Sequence, residues 1–185
     1  MKKILHLVLF VLTLNSCQNK EKVKNLTEEN NTTDTVKNFS SESNQTINET
    51  ENAKEWLIET IETYFKKDLQ EMRGITTKSY EEYKTDATNV DLDTEGALTQ
   101  TEFENKWKGK FDIKYAGIGN GFLISGQDWG KIEVTKCNSL KSNSKDEFVF
   151  ETTISDIDFK VDYKREIKVI KSENSFLISD VKEYE

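Results

Sequence analysis

Three patterns of apolar and polar positions succeed one another along the chain. A nine-residue apolar run, Ile4 to Leu12, is broken only by His6 and follows Lys2 and Lys3. From Gln18 to about Asn52 the chain is Asn, Thr, Ser, Glu and Lys with almost no apolar side chain. Such a stretch cannot offset ordering entropy, so residues 18–52 are expected to be a disordered tether. From Ala53 onward apolar positions become periodic. At 100° per residue Leu57, Ile58, Ile61, Tyr64, Phe65, Leu69 and Met72 fall within an arc of roughly 140°. This amphipathic stripe predicts a long helix from Ala53 to about Arg73, ended by Gly74.

Shorter helical signals follow. Ser79-x-x-Glu82 has the form of a capping box and opens a second helix through Tyr83. Thr99-x-x-Glu102 repeats the signal, with Phe103, Trp107 and Phe111 every fourth residue after it. Beyond the turn Gly117–Gly121 the period changes to two. Ile132 and Val134 alternate, as do Phe148, Phe150 and Ile154. Phe159, Val161, Tyr163, Ile167 and Val169 share a face opposite Asp158, Lys160, Asp162, Lys164 and Lys168. Ser172-Glu-Asn174 predicts the last hairpin turn, into Phe176–Val181. Helices followed by a strand meander make the class α+β. The expected domain, residues 53–185, has a long first helix and two shorter ones packed on a strongly curved antiparallel sheet of about four strands, cone-like in shape.

Composition narrows the chemistry. The single histidine, His6, lies in the N-terminal apolar run, so the remaining chain has no Ser-His-Asp, Cys-His or His-ligated metal chemistry. Cys17 and Cys137 are the two cysteines. Cys137, in a strand pattern, reads as a small core hydrophobe. Without Lys2 and Lys3, 24 basic residues face 34 acidic ones, a net charge of −10. That balance repels nucleic acid, which is not an expected partner. Lys106, Lys108, Lys110 and Lys114 interleave with Glu102, Glu104 and Asp112, as on a solvated mixed-charge face.

The apolar run is too short to span a bilayer and suits a secretory signal. Leu14-Asn15-Ser16-Cys17 resembles the lipobox of bacterial lipoproteins, with Leu14 and Ser16 in place and Asn15 departing from the usual small residue. The resemblance implies a signal peptide over residues 1–17, lipidation at Cys17 and a membrane partner through that anchor. Gln18 after the cysteine resembles proteins sorted to the outer membrane. The expected address is therefore the bacterial cell envelope. A flexible tether of 35 residues would span roughly 30–35 Å. Its six Asn-x-Ser/Thr triplets follow from composition.

The folded part resembles the nuclear-transport-factor-2-like (cystatin-like) cone fold. The helix pattern carries the likeness, together with the closing strand Phe176-Leu-Ile-Ser-Asp-Val181. Gly121-Phe-Leu-Ile-Ser-Gly-Gln-Asp-Trp129 is similar to a stretch in an uncharacterised family of envelope lipoproteins with that fold. The likeness implies a fold and an address, because one fold hosts many activities.

Three constellations compete for function. Asp91, Asp93, Glu95, Ala97 and Glu102 take the calcium-ligand positions of an EF-hand loop, with Gly96 at its sharp turn. The alternative is an acidic loop favouring the positive end of a helix, with no cofactor. Asp68, on the apolar stripe beside Tyr64, could be a desolvated base or ligand anchor, or could sit where the stripe emerges into water. Trp107 and Trp129, with Phe122 and Tyr115, form either a pocket mouth or core. The leading expectation is a non-enzymatic lipoprotein domain that binds a small molecule or a protein. The alternatives are an isomerase- or dehydratase-type enzyme using Asp68 and a Tyr, and a calcium-stabilised interaction module.

Overall fold

A computed structural model describes residues 35–140, 145–173 and 175–184, with side chains of the first helix described from Asn48 onward. The fold is α+β, as expected. Helices α1 (Thr35–Tyr64), α2 (Lys78–Thr88) and α3 (Gln100–Trp107) precede a single 3₁₀ turn, Ile113–Tyr115. Strands β1 (Ile132–Leu140), β2 (Glu147–Asp156), β3 (Val161–Ser172) and β4 (Ser175–Tyr184) follow. They form an antiparallel meander in the order β1-β2-β3-β4. The sheet is open, with β1 and β4 as edges, rather than the strongly curved cone expected.

Ala53, Leu57, Ile61 and Tyr64 recur along one side of α1 and are buried where the helix crosses β1, β2 and β3. Each large apolar side chain removed from water there stabilises the packing by about 1.5–3 kcal/mol. Glu62 Oε1 accepts the Val134 N–H at 3.3 Å, so the helix also satisfies a donor on edge strand β1.

Two helix boundaries differ from expectation. The first helix stops at Tyr64, not near Arg73, because its last turn tightens: Lys66 N–H donates to Thr63 and Lys67 N–H to Tyr64. The Phe65 carbonyl is taken by Trp129 Nε1–H at 3.3 Å. At the other end the backbone is helical back to Thr35 rather than beginning at Ala53. Adding turns to a formed helix costs far less than nucleating one. Residues 18–34 and the signal and lipobox at 1–17 lie outside the described residues.

The cap of α2 also differs. Thr77, rather than Ser79, accepts the Tyr80 N–H. Thr77 is fixed there because its own N–H donates to Ile178 of β4 at 2.8 Å. In α3 the expected capping box is present. Thr99 Oγ1 accepts the Glu102 N–H at 3.3 Å, and Glu102 Oε2 accepts the Thr99 N–H at 2.9 Å. Phe159 departs from the expected buried face of β3. It stands in the β2–β3 turn, 59% exposed, because β3 starts only at Val161.

Thr99→Ala should cost about 1 kcal/mol of folding stability in urea unfolding, equally in calcium and in chelator. A loss confined to calcium would mean that Glu102 serves a metal rather than the cap.

Candidate functional site

One rung in the middle of the sheet carries polar side chains across the inner face. Cys137 of β1 pairs with Thr152 of β2, Thr152 with Arg165 of β3, and Arg165 with Glu183 of β4. All four are buried. The neighbouring rung, Phe150, Ile167 and Val181, is buried and apolar. α2 adds a fifth member. Tyr80, Tyr83, Lys84 and Ala87 form its buried stripe, which brings the Lys84 ammonium onto Glu183.

The side chains of Lys84, Arg165 and Glu183 are 1%, 2% and 5% exposed. Isolated charges this deep would be prohibitive, so each must be paired and hydrogen-bonded. Lys84 Nζ donates to Glu183 Oε1, to Ala116 O at 3.0 Å and to Gly117 O at 3.2 Å. Glu183 Oε2 accepts from Asn120 Nδ2 at 3.1 Å and lies 3.5 Å from Arg165 Nη2. Arg165 Nε donates to Leu123 O at 2.9 Å, and Nη1 to Lys164 O at 2.8 Å. Burial pulls both cations below their ordinary pKa values, and Glu183 pulls them back up. Tyr80, whose hydroxyl has no hydrogen-bond partner among the described residues, is pushed well above its ordinary pKa by burial and then by Glu183.

The Gly-rich segment is shaped around this carboxylate. Gly117 has φ +59°, and a β-carbon there would run into the Glu183 carboxyl group. Beside the network opens a cleft of about 680 Å³. Tyr115, Tyr163 and Tyr184 wall it, Arg165 and Glu183 form its floor, and Asn120, Ser125 and Asp162 add neutral and acidic polar groups. The Tyr115 and Tyr184 rings meet at 5.0 Å, and the Arg165 guanidinium lies 5.5 Å from the Tyr163 ring centre.

The residues anticipated as a pocket are placed elsewhere. Tyr64 and Trp129 come together only through Phe65, at 5.0 and 5.4 Å between ring centres. Trp107 is buried on the far side against Tyr83 at 5.5 Å, its Nε1–H donating to Asp86 at 2.8 Å. Phe122 is buried edge-on to Tyr64. Of that aromatic set only Tyr115 lines the cleft. Asp68 is exposed on the bend beyond α1, because the helix that was to carry it ends four residues earlier. Asp91, Asp93 and Glu95 are exposed, Ala97 is half-buried, and Glu102 bends back onto Thr99. Among the described residues no three His, Cys, Asp or Glu side chains are grouped to hold a metal ion.

Arg165, Glu183 and Lys84 escaped the sequence reading, although each breaks an apolar period. Arg165 stands between Tyr163 and Ile167, Glu183 two places after Val181, and Lys84 within Tyr80-Tyr83-Ala87. A charge on an apolar face was the available signal.

No family model matches the chain, and neither a curated protein nor a solved structure does.

Lys84→Met should cost about 3–5 kcal/mol in chemical unfolding, since it strips the ammonium from a buried carboxylate. Adding Glu183→Gln to that variant should cost less than the sum of the two single changes without restoring stability, since it leaves the buried Arg165 guanidinium without its carboxylate; additive costs would show that Lys84 and Glu183 are not coupled. Gly117→Ala should destabilise more than Gly119→Ala, where φ is +78° but a β-carbon meets nothing within 4 Å. The second change should cost only the backbone penalty of about 1–2 kcal/mol.

Proposed function

We propose that this chain is a membrane-anchored envelope lipoprotein whose α+β domain binds a ligand or partner without turning it over. The observation that carries the binding half is the cleft and its floor. A concavity of about 680 Å³ lies within the range of small-molecule sites, and its walls combine aromatic faces with convergent polar groups. The floor is built for rigidity rather than reaction. Catalytic acids, bases and nucleophiles need a group free to exchange a proton or attack. Here the Lys84 ammonium and the Glu183 carboxylate are turned onto each other and onto the backbone. The exposed position of Asp68 gives the alternative enzyme reading no desolvated base.

The anchoring half rests on the sequence: the basic n-region, the short apolar run and Leu14-Asn15-Ser16-Cys17. In this reading membrane attachment is through lipid at Cys17; among the described residues no helix is long and apolar enough to cross a membrane. One chain alone binds a bilayer only weakly and reversibly, whereas a multiply acylated cysteine gives stable attachment. The likeness to the nuclear-transport-factor-2-like fold enters in coarse form, as a long helix laid against one face of an antiparallel sheet.

Expression of the full chain in a bacterium with radiolabelled palmitate tests the anchor. The wild type should take up label and sediment with membranes, and Cys17→Ser should do neither. Equal sedimentation without label in both would sink the lipoprotein reading.

A further inference from the structure

The chemistry still available at the cleft narrows what it can bind. A buried cation in the floor, Arg165, with Lys84 behind it, would ordinarily suggest an anion, but the donors of both are engaged by the protein. Arg165 directs Nε to Leu123 O, Nη1 to Lys164 O and to Tyr184 O at 3.4 Å, and Nη2 to Ser125 Oγ at 3.5 Å, with Glu183 in ion-pair range of Nη2 at 3.5 Å. Of the five N–H groups of a guanidinium, four donate to the protein and the fifth is left to the ion pair. The three N–H groups of Lys84 are matched by Ala116, Gly117 and Glu183. An anion would have to break buried hydrogen bonds to reach either cation, which is costly. On the walls Lys114 and Asp162 carry opposite charges.

Hydrogen-bonding capacity and aromatic faces remain. Asn120 gives its amide N–H to Glu183 and has its carbonyl oxygen left. Asp162 accepts from Ser155 through Oδ1 at 2.6 Å and has Oδ2 left. The hydroxyls of Tyr115 and Tyr163 both donate and accept. Apolar side chains, Ile118 at 42% and Val161 at 41% exposure, form the lip beside those rings. Such a wall offers apolar surface together with donors and acceptors, and its two charges are of opposite sign: Asp162, and Lys114, whose ammonium lies 5.0 Å from the Tyr115 ring centre.

From this we infer that the cleft is a saccharide site, taking a neutral, polyhydroxylated ring of mono- to disaccharide size. The apolar C–H face of a pyranose covers Tyr115 or Tyr163, while its hydroxyls donate to Asn120 and Asp162 and accept from the tyrosines. The volume, about 680 Å³, accommodates two such rings. The inference rests on the binding reading above and names its ligand class.

Titration of the ¹⁵N-labelled full chain by NMR tests it, with cellobiose, maltose and N,N′-diacetylchitobiose as probes and inorganic phosphate and acetate as competitors. At least one disaccharide should shift the resonances of Tyr115, Asn120 and Tyr163 saturably, at millimolar affinity and unaffected by phosphate. Tyr115→Ala should weaken that binding roughly tenfold, and Tyr115→Phe should keep it within about threefold, with the rest of the ¹⁵N spectrum showing that both variants are folded. No saturable shift from any of the three at tens of millimolar overturns the saccharide assignment. Saturable binding of phosphate or acetate at the same residues also overturns it, while leaving a binding domain with a different ligand. Equal losses in Tyr115→Ala and Tyr115→Phe would show that the ring face is not the contact.

Discussion

Removing the Lys84–Glu183–Arg165 network from water is the constraint around which the rest of the domain is arranged. Two positive charges and one negative charge lie beneath the surface, on α2, in the middle of β3 and at the end of β4. In a medium of low dielectric they are tolerable only if every donor and acceptor finds a partner. The partners come from parts of the chain that have no other reason to meet. Carbonyls at Ala116, Gly117 and Leu123, the amide of Asn120 and the hydroxyl of Ser125 all turn inward to the same point. Thus the irregular segment between α3 and β1 acquires a defined path without regular secondary structure.

That path produces the cleft. Gly117 must pass so close to the Glu183 carboxyl that no side chain fits, and the 3₁₀ turn before it sets Tyr115 against Tyr184. On the other side the guanidinium of Arg165 steadies Tyr163. A second tie fixes α2 to the same strand, since Thr77 donates to Ile178 and Ile178 donates to Ile75. Helix, loop and sheet edge are therefore locked together by polar contacts, while Tyr80, Tyr83 and Phe111 fill the space between them with stacked and tilted rings. The concavity is a consequence of packing that is already satisfied, which is why its walls are preorganised.

Class and element order were legible because they rest on periodicity. The alternation in β2 and β3, the last hairpin and the Thr99–Glu102 capping box all follow from local spacing. The end of α1 was not legible, because the helix is stopped by Trp129 bonding the Phe65 carbonyl from 64 residues away. The start of α2 was misplaced for a similar reason: Thr77 and Ser79 are equally good caps locally, and a bond to β4 selects Thr77. The network itself was overlooked since reading the alternation by its apolar members passes over Arg165, the one odd position in β3 that matters most. The single-residue hypothesis of Asp68 depended on a helix longer than the one that forms.

The most direct measurement is side-chain NMR of the Lys84 ammonium in the intact chain at neutral pH. The account expects a charged ammonium whose protons exchange slowly with water and couple to the Glu183 carboxylate, set apart from the surface lysines. An ammonium exchanging as fast as those of exposed lysines, or a neutral amine, would contradict it.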